Sequence, residues 1–272
     1  MVWLVALGLG LAWPAAGGTI YVRADATGAN SGANWTDAYT DLQAALAATV
    51  AGDEIWVAAG TYKPTTGTDR TVSFVLKGGA GIYGGFAGTE TARDPRDWLT
   101  NVTILSGDIG IGGDDSDNTE HVVTGAAAAI LDGFTIRDGH ATGRGGGLRN
   151  DGDDLEVANC VFTANQADDS GGAAVCSAPS TTFRNCCFYG NTATGMGGGV
   201  FVASGGPFVL VSLDFCTLSG NSANFGGGCA TDWGVVQALN SIIWGNAATT
   251  ADPTFHSPTG GGVWPAYSCV VC

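Results

Sequence analysis

Basic residues are scarce in this 272-residue chain: ten Lys and Arg stand against 25 Asp and Glu, a formal net charge of −15. Lys63 and Lys77 are the only lysines. No basic stripe exists, which argues against nucleic acid or anionic lipid as partner. Histidine is nearly as rare. His121, His140 and His256 are scattered, with no motif that sets a Ser or Cys nucleophile beside them. Long apolar runs are missing too. The longest, Val2 to Trp13, is too short for a membrane span. With Pro14 to Gly18 behind it, and Ala15 and Gly17 as small residues, it reads as a signal peptide over 1–17, although no Lys or Arg precedes it. The expectation is export to the medium or a bacterial cell surface, with no other membrane insertion.

What the chain has in abundance is glycine, 45 residues, and it is distributed periodically. Five segments align without gaps: Ile136 to Ala141, Phe162 to Ala167, Phe188 to Ala193, Leu218 to Ala223 and Ile243 to Ala248. Their starts lie 26, 26, 30 and 25 residues apart. A glycine run follows each of the first four, beginning at Gly145, Gly171, Gly197 and Gly226. Such a unit is too short for a strand plus a long helix or for a four-stranded propeller blade. It fits one coil of an all-β parallel β-helix, a solenoid with two or three short strands per turn.

Alternation sorts the faces. Ile136, Phe162, Phe188, Leu218 and Ile243 are read as inward, as are Phe134, Cys160, Cys186, Cys216 and Ser241 two residues earlier. Leu148, Ala174, Val200 and Cys229 form a second inward row. Arg137, Thr163, Tyr189, Ser219 and Trp244 point outward. Asn165, Asn191, Asn221 and Asn246 suit tight turns and an amide ladder, a structural role rather than a binding row. Gly139 interrupts that row. The glycine runs permit positive φ and close approach of rungs; no Lys-Ser or Lys-Thr follows them, so they are not phosphate loops.

Eight cysteines in an exported chain raise the question of disulfides. Cys160, Cys186 and Cys216 share one interior slot. Free thiols are the favoured reading there, with a vertical bridge between rungs as the alternative. Cys269 and Cys272 form a lone CxxC without the second pair that zinc needs.

In the first half, 36–48 reads as an amphipathic helix. Thr36 serves as cap, Asp37 and Asp41 sit near its positive end, and Tyr39, Leu42 and Leu46 form one apolar face. It is placed to cover the open end of the coil. Clear rungs begin near 101, with Leu105 in register with Ile136. Loops at 69–70 and 87–97 are expected to protrude.

Several stretches carry a resemblance: Asp53 to Pro64, Tyr83 to Glu90, Thr103 to Asp108, Asn118 to Val123 and Leu131 to Ile136. They resemble the bacterial secreted right-handed parallel β-helix proteins of the pectin-lyase-like superfamily. Phe162 to Asn165 and Phe188 to Asn191, alternating with Gly171 to Ala174, also resemble the FxxN and GGA repeats of chlamydial polymorphic outer membrane proteins. The resemblance implies a right-handed coil. For activity it implies only a choice between polysaccharide lyases or hydrolases and adhesins or other surface proteins. Similar chains continue past a strand like Tyr267 to Val270. In register, Cys269 would extend the cysteine row and Val271 the aliphatic row, so the sequence reads as a fragment.

For function, the outward row offers no pair of acids for glycoside hydrolysis. Its one base is Arg137. The first reading is therefore a non-catalytic, adhesin-like surface domain that binds a glycan or protein along its side, with Arg137, Tyr189 and Trp244 as contacts. The alternative is a lyase or hydrolase acting on an acidic polysaccharide, with a loop such as 87–97 or 107–117 bringing an acid over the row. Asp114, Asp115 and Asp117, and Asp151, Asp153 and Asp154, are weak calcium candidates through oxygen ligands. Neither cluster matches an EF-hand or the calcium-binding nonapeptide repeat.

Overall fold

The computed structural model describes residues 17–203, 209–258, 261–266 and 269–270. The expected signal peptide lies almost wholly outside these residues, as do Val271 and Cys272. The chain winds as an all-β parallel solenoid of about eight turns with almost no helix. Every strand pair within its four sheets is parallel, and non-consecutive strands stack as neighbours. Sheet 1 has nine strands, from Thr19–Val22, Glu54–Ala58, Gly81–Phe86 and Ile130–Asp132 through Leu155–Ala158 to Gly262–Ala266. Sheet 2 has eight, from Gly60–Tyr62 and Thr103–Ser106 through Phe134–Arg137, Val161–Thr163, Cys187–Tyr189 and Thr217–Ser219 to Ile242–Trp244 and Cys269–Val270. Sheet 3 is a five-stranded strip beginning at His140–Ala141, and sheet 4 a seven-stranded one that includes Val123–Thr124, Leu148–Asn150, Ala174–Cys176 and Val200–Ala203. A complete turn therefore has four short strands, one more than the upper expectation, because the small-residue turn after each Asn is itself a paired strip.

The inward rows fall where alternation puts them. Ile136, Phe162, Phe188, Leu218 and Ile243 are fully buried, and Phe134, Cys160, Cys186, Cys216 and Ser241 nearly so. Register carries the first row back through Leu105 to Tyr62. One continuous core results, in which Phe162 and Phe188 stack with centroids 4.9 Å apart. Paired rungs are thus present well before residue 101: sheet 1 begins at Thr19. At the other end the expected register is one residue out. Cys269 stands opposite Ile242 and Val270 opposite Ile243.

Cys160, Cys176, Cys186, Cys187, Cys216 and Cys229 are free thiols. Burial drives the Cys186 thiol well above its ordinary pKa and the Cys176 thiol to about 12. These are packing groups, not nucleophiles. Ser241 occupies the same slot, donating to the Leu213 carbonyl at 3.0 Å and accepting from the Cys216 N–H at 3.0 Å.

The Asn ladder forms. Asn165 Nδ2 donates to Asn191 Oδ1 at 3.0 Å, Asn191 to Asn221 at 2.9 Å and Asn221 to Asn246 at 2.9 Å. Each amide also donates to a strand carbonyl of the preceding rung: Asn165 to Ile136, Asn191 to Phe162, Asn221 to Phe188. The left-handed residue at this corner is not the Asn but the one before it, Ala164, Gly190, Gly220 or Gly245. Gly139 breaks the row for a steric reason: a Cβ there would sit 1.9 Å from the Gly146 carbonyl. Its N–H instead donates to Asn165 Oδ1 at 3.1 Å and ends the ladder.

A second ladder occupies the corner between sheets 1 and 2. Asn159 and Asn185 there have φ near +52° and +51°. Asn185 Nδ2 donates to Asn159 Oδ1 at 2.7 Å, and Asn159 Nδ2 to Asp132 Oδ1 at 2.8 Å. The other oxygen of Asp132 accepts from Arg96 Nη2 at 2.6 Å. So a loop arginine seals the ladder's end.

The helix is shorter than its expected span, Leu42–Ala48, with Asp41 as N-cap accepting from the Gln43 N–H at 3.0 Å. Asn34 captures the N–H groups of Thr36 and Asp37 in a turn, and Tyr39 pairs with Tyr21 in extended backbone. That competing polar turn is why no helix starts at Thr36. Leu42, Ala45 and Leu46 are buried against the first strands of sheets 1 and 4.

The loops at 69–70 and 87–97 do not project freely. Arg70 donates to the Asn118 and His140 carbonyls at 2.7 and 2.6 Å. Arg93 pairs with Glu54 at 2.6 Å and lies over the Tyr83 ring. Trp35, Trp56, Tyr83 and Phe86 form an apolar layer outside sheet 1 beneath this loop.

Candidate functional site

The outer face of sheet 2 carries the residues singled out by alternation. Ser106, Arg137, Thr163, Tyr189, Ser219 and Trp244 stand in one register row. Among the described residues no loop covers its far end: Tyr189 is 47% and Trp244 59% exposed. Ile242 and Phe215 are exposed beside them. Phe215 takes the left-handed corner position that Asn159, Asn185 and Asn240 occupy on other rungs, so an amide is exchanged for an exposed ring next to the row.

The near end is different. The 107–117 loop folds back over Arg137, so that Asp108, Gly113, Asp115, Asn118, Arg137 and Asp138 line a pocket of about 230 Å³. An acid cluster therefore does reach the row, as the enzyme alternative requires. Arg137 Nε is 3.1 Å from Asp138 Oδ2, an ion pair without hydrogen-bond alignment. Asp138 Oδ2 also accepts from Ser106 Oγ at 2.9 Å. Asp108 accepts from the Gly113 N–H at 3.0 Å and lies 3.5 Å from Lys63 Nζ. Asp115 accepts from Gln166 Nε2 at 2.9 Å. A glycosidase acid is kept protonated by apolar surroundings. These three carboxylates instead face cations, an amide, a hydroxyl and a backbone donor.

The calcium candidates are not brought together. Among the described residues, no three His, Cys, Asp or Glu side chains form a group able to hold a metal ion. The acids serve their own turns. Asp114 accepts from Ser116 Oγ and N–H, and these bonds, the hydroxyl's foremost, hold its carboxyl below the usual range. Asp117 accepts from the Ile111 N–H at 2.7 Å, Asp151 from Arg149 at 3.0 Å, and Asp153 from the N–H groups of Asp154 and Ser180.

A larger groove, about 450 Å³, crosses the outside of sheet 4 between Glu120, His121, Thr142, Arg144, Arg149 and Asp151. Alternation on sheet 2 does not find it. The available signal is Arg149, whose register partners on successive rungs are Val175, Phe201 and Ala230. With Thr124 before it and His256 after Ala230, the arginine stands at the edge of the row's apolar stretch.

A scan against family models, a search of curated proteins and a search of solved structures each return no match.

Proposed function

We propose that the chain is an exported, non-catalytic, adhesin-like surface solenoid that binds a linear glycan along the outer row of sheet 2. In this reading it is a right-handed coil of the pectin-lyase-like kind, and the helix Leu42–Ala48 covers its N-terminal end. The supporting observation is the exposed pair Tyr189 and Trp244, two rungs apart with Ser219 between them. Two rungs are about 10 Å along the axis. An extended β-linked glycan advances by a similar distance over two sugar rings. Alternate rings can then stack on the aromatics while the intervening ring meets the serine hydroxyl.

Calorimetric titration with cellulose, xylan and mannan oligomers tests it. At least one should bind, and Trp244→Ala or Tyr189→Ala should each weaken binding about tenfold. Equal affinity in both variants sinks the row as the site.

The Arg137 pocket favours one alternative, a polysaccharide lyase or hydrolase. Incubation with uronic-acid polymers should give no rise in absorbance from unsaturated products. Turnover that disappears in Arg137→Ala would establish the enzyme and overturn the non-catalytic reading.

A further inference from the structure

The sheet 4 groove holds donors and acceptors that the protein leaves unused. Arg149 donates through Nε to Asp151 Oδ2 at 3.0 Å, and Arg144 through Nε to Asp169 Oδ2 at 2.7 Å. Each guanidinium is therefore anchored through Nε, and among the described residues its Nη atoms make no hydrogen bond. Arg144 is further steadied over the Phe201 ring at 5.2 Å. On the acceptor side, Glu120 uses Oε1 for the Thr142 hydroxyl, leaving Oε2, and Asp151 keeps Oδ1. His121 Nδ1 lies 2.8 Å from the Gly145 carbonyl, which can only accept. The ring proton therefore sits on Nδ1, and Nε2 is an acceptor without a protein partner. Burial, with Arg149 beside it, favours that neutral form.

This inventory selects a ligand chemistry. Each hydroxyl of a sugar both donates and accepts, so vicinal hydroxyls fit a carboxylate beside a guanidinium edge. The lining carries three carboxylates against two guanidinium groups, which disfavours an anion. The two Nη edges disfavour an ammonium. A volume of about 450 Å³ lies within the range of small-ligand sites.

We infer that this groove is a second binding site, taking a neutral hexose between Arg144 and Arg149 as donors and Glu120, Asp151 and His121 as acceptors. It shares no residue with the sheet 2 row and stands whether or not that row binds glycan.

Saturation-transfer NMR on the purified protein tests it, with methyl glucoside, methyl galactoside and methyl mannoside as probes and glucuronate and glucosamine as charged controls. At least one neutral glycoside should receive saturation at its ring protons, more strongly than either charged sugar. Measured in a Tyr189→Ala, Trp244→Ala background, so that the sheet 2 row does not contribute, Arg149→Leu and Asp151→Leu should each cut the transfer about fivefold. Both side chains are about half exposed, at 52% and 54%. Asp151→Asn serves as the milder variant should leucine lower the melting temperature. No transfer to any of the three glycosides, stronger transfer to a charged sugar, or unchanged transfer in folded Arg149 and Asp151 variants would overturn the assignment.

Discussion

The two ends of this solenoid are held by different means. In the first part, sheet 1 strands start at Thr19, Glu54, Gly81 and Ile130, intervals of 35, 27 and 49 residues. From Ile130 to Val235 the intervals are 25, 25, 30 and 25. The regular part repeats one contact on every rung: an amide to the next amide and to a strand carbonyl. The irregular part uses contacts made once, such as Arg70 on two carbonyls, Arg93 on Glu54 and Arg96 on Asp132. A ladder stabilises in proportion to its length and survives damage rung by rung. A single pin carries its loop alone.

The largest effects should come from breaking a pin or a ladder amide. Arg96→Ala removes the cation from Asp132, whose side chain is only 14% exposed and keeps Asn159 alone, and should cost about 3 kcal/mol. Hydrogen exchange should accelerate across 81–102 and 130–133 while 165–246 stays protected. Equal acceleration along the whole chain would erase the distinction between the two parts. Asn191→Ala removes the bonds its amide donates to Phe162, Tyr189 and Asn221 and the two it accepts from Asn165, all at a fully buried site, and should cost about 3 kcal/mol. Here the loss of protection should spread symmetrically to the rungs of Asn165 and Asn221. Confinement to one rung would show that the ladder is not cooperative. Cys186→Ser should cost about 1 kcal/mol or less, since Ser241 already satisfies a hydroxyl in that row. A melting temperature far below that of the wild type would mean the cysteine slots differ in shape. The smallest effect at neutral pH belongs to His121. Its folded pKa is depressed, so the unfolded chain takes the proton first. Stability is unaffected above the ordinary value near 6.5, falls as pH drops below it, and levels off once the folded group titrates. His121→Gln should remove that acid slope from urea titrations. An unchanged slope would assign it to the carboxylates.

The periodic part was legible because one register decides many residues at once. Fixing Ile136 as inward places Cys160, Phe188 and Trp244 without further information. The C-terminal slip arose from matching Cys269 to the cysteine row by identity, where backbone pairing sets it opposite Ile242. The corner ladder is written as Asn159-Cys160 and Asn185-Cys186, where each amide directly precedes a buried sulfur and lies outside the alternating inward row. Arg96, Arg70 and the Arg144–Arg149 groove left no periodic trace, because each depends on a loop folding back over a sheet. Thr36 has the side chain of a helix cap, but Asn34 draws the N–H groups of Thr36 and Asp37 into a turn. Of the site residues, Tyr189 and Trp244 were readable from alternation alone. For the pocket around Arg137 the sequence offered 107–117 as one of two loops able to bring an acid over the row, and Asp108 and Asp115 arrive from it.

The corners also differ in how much they tolerate. From sheet 2 to sheet 3 each regular turn spends the same two residues, for instance between Thr163 and Gln166 and between Ser219 and Ser222. The stacked amides require this, because one added residue would lift an Asn out of line with both neighbours. From sheet 4 back to sheet 1 the connection varies, running from Asn150 to Leu155, Cys176 to Ser180, Ala203 to Leu210 and Asp232 to Val235. Within the regular turns this connection is therefore a seam through which insertions can enter. A foreign peptide grafted after Cys176 would be displayed on the outside with every rung still in register, while the same graft after Thr163 would sever the stack.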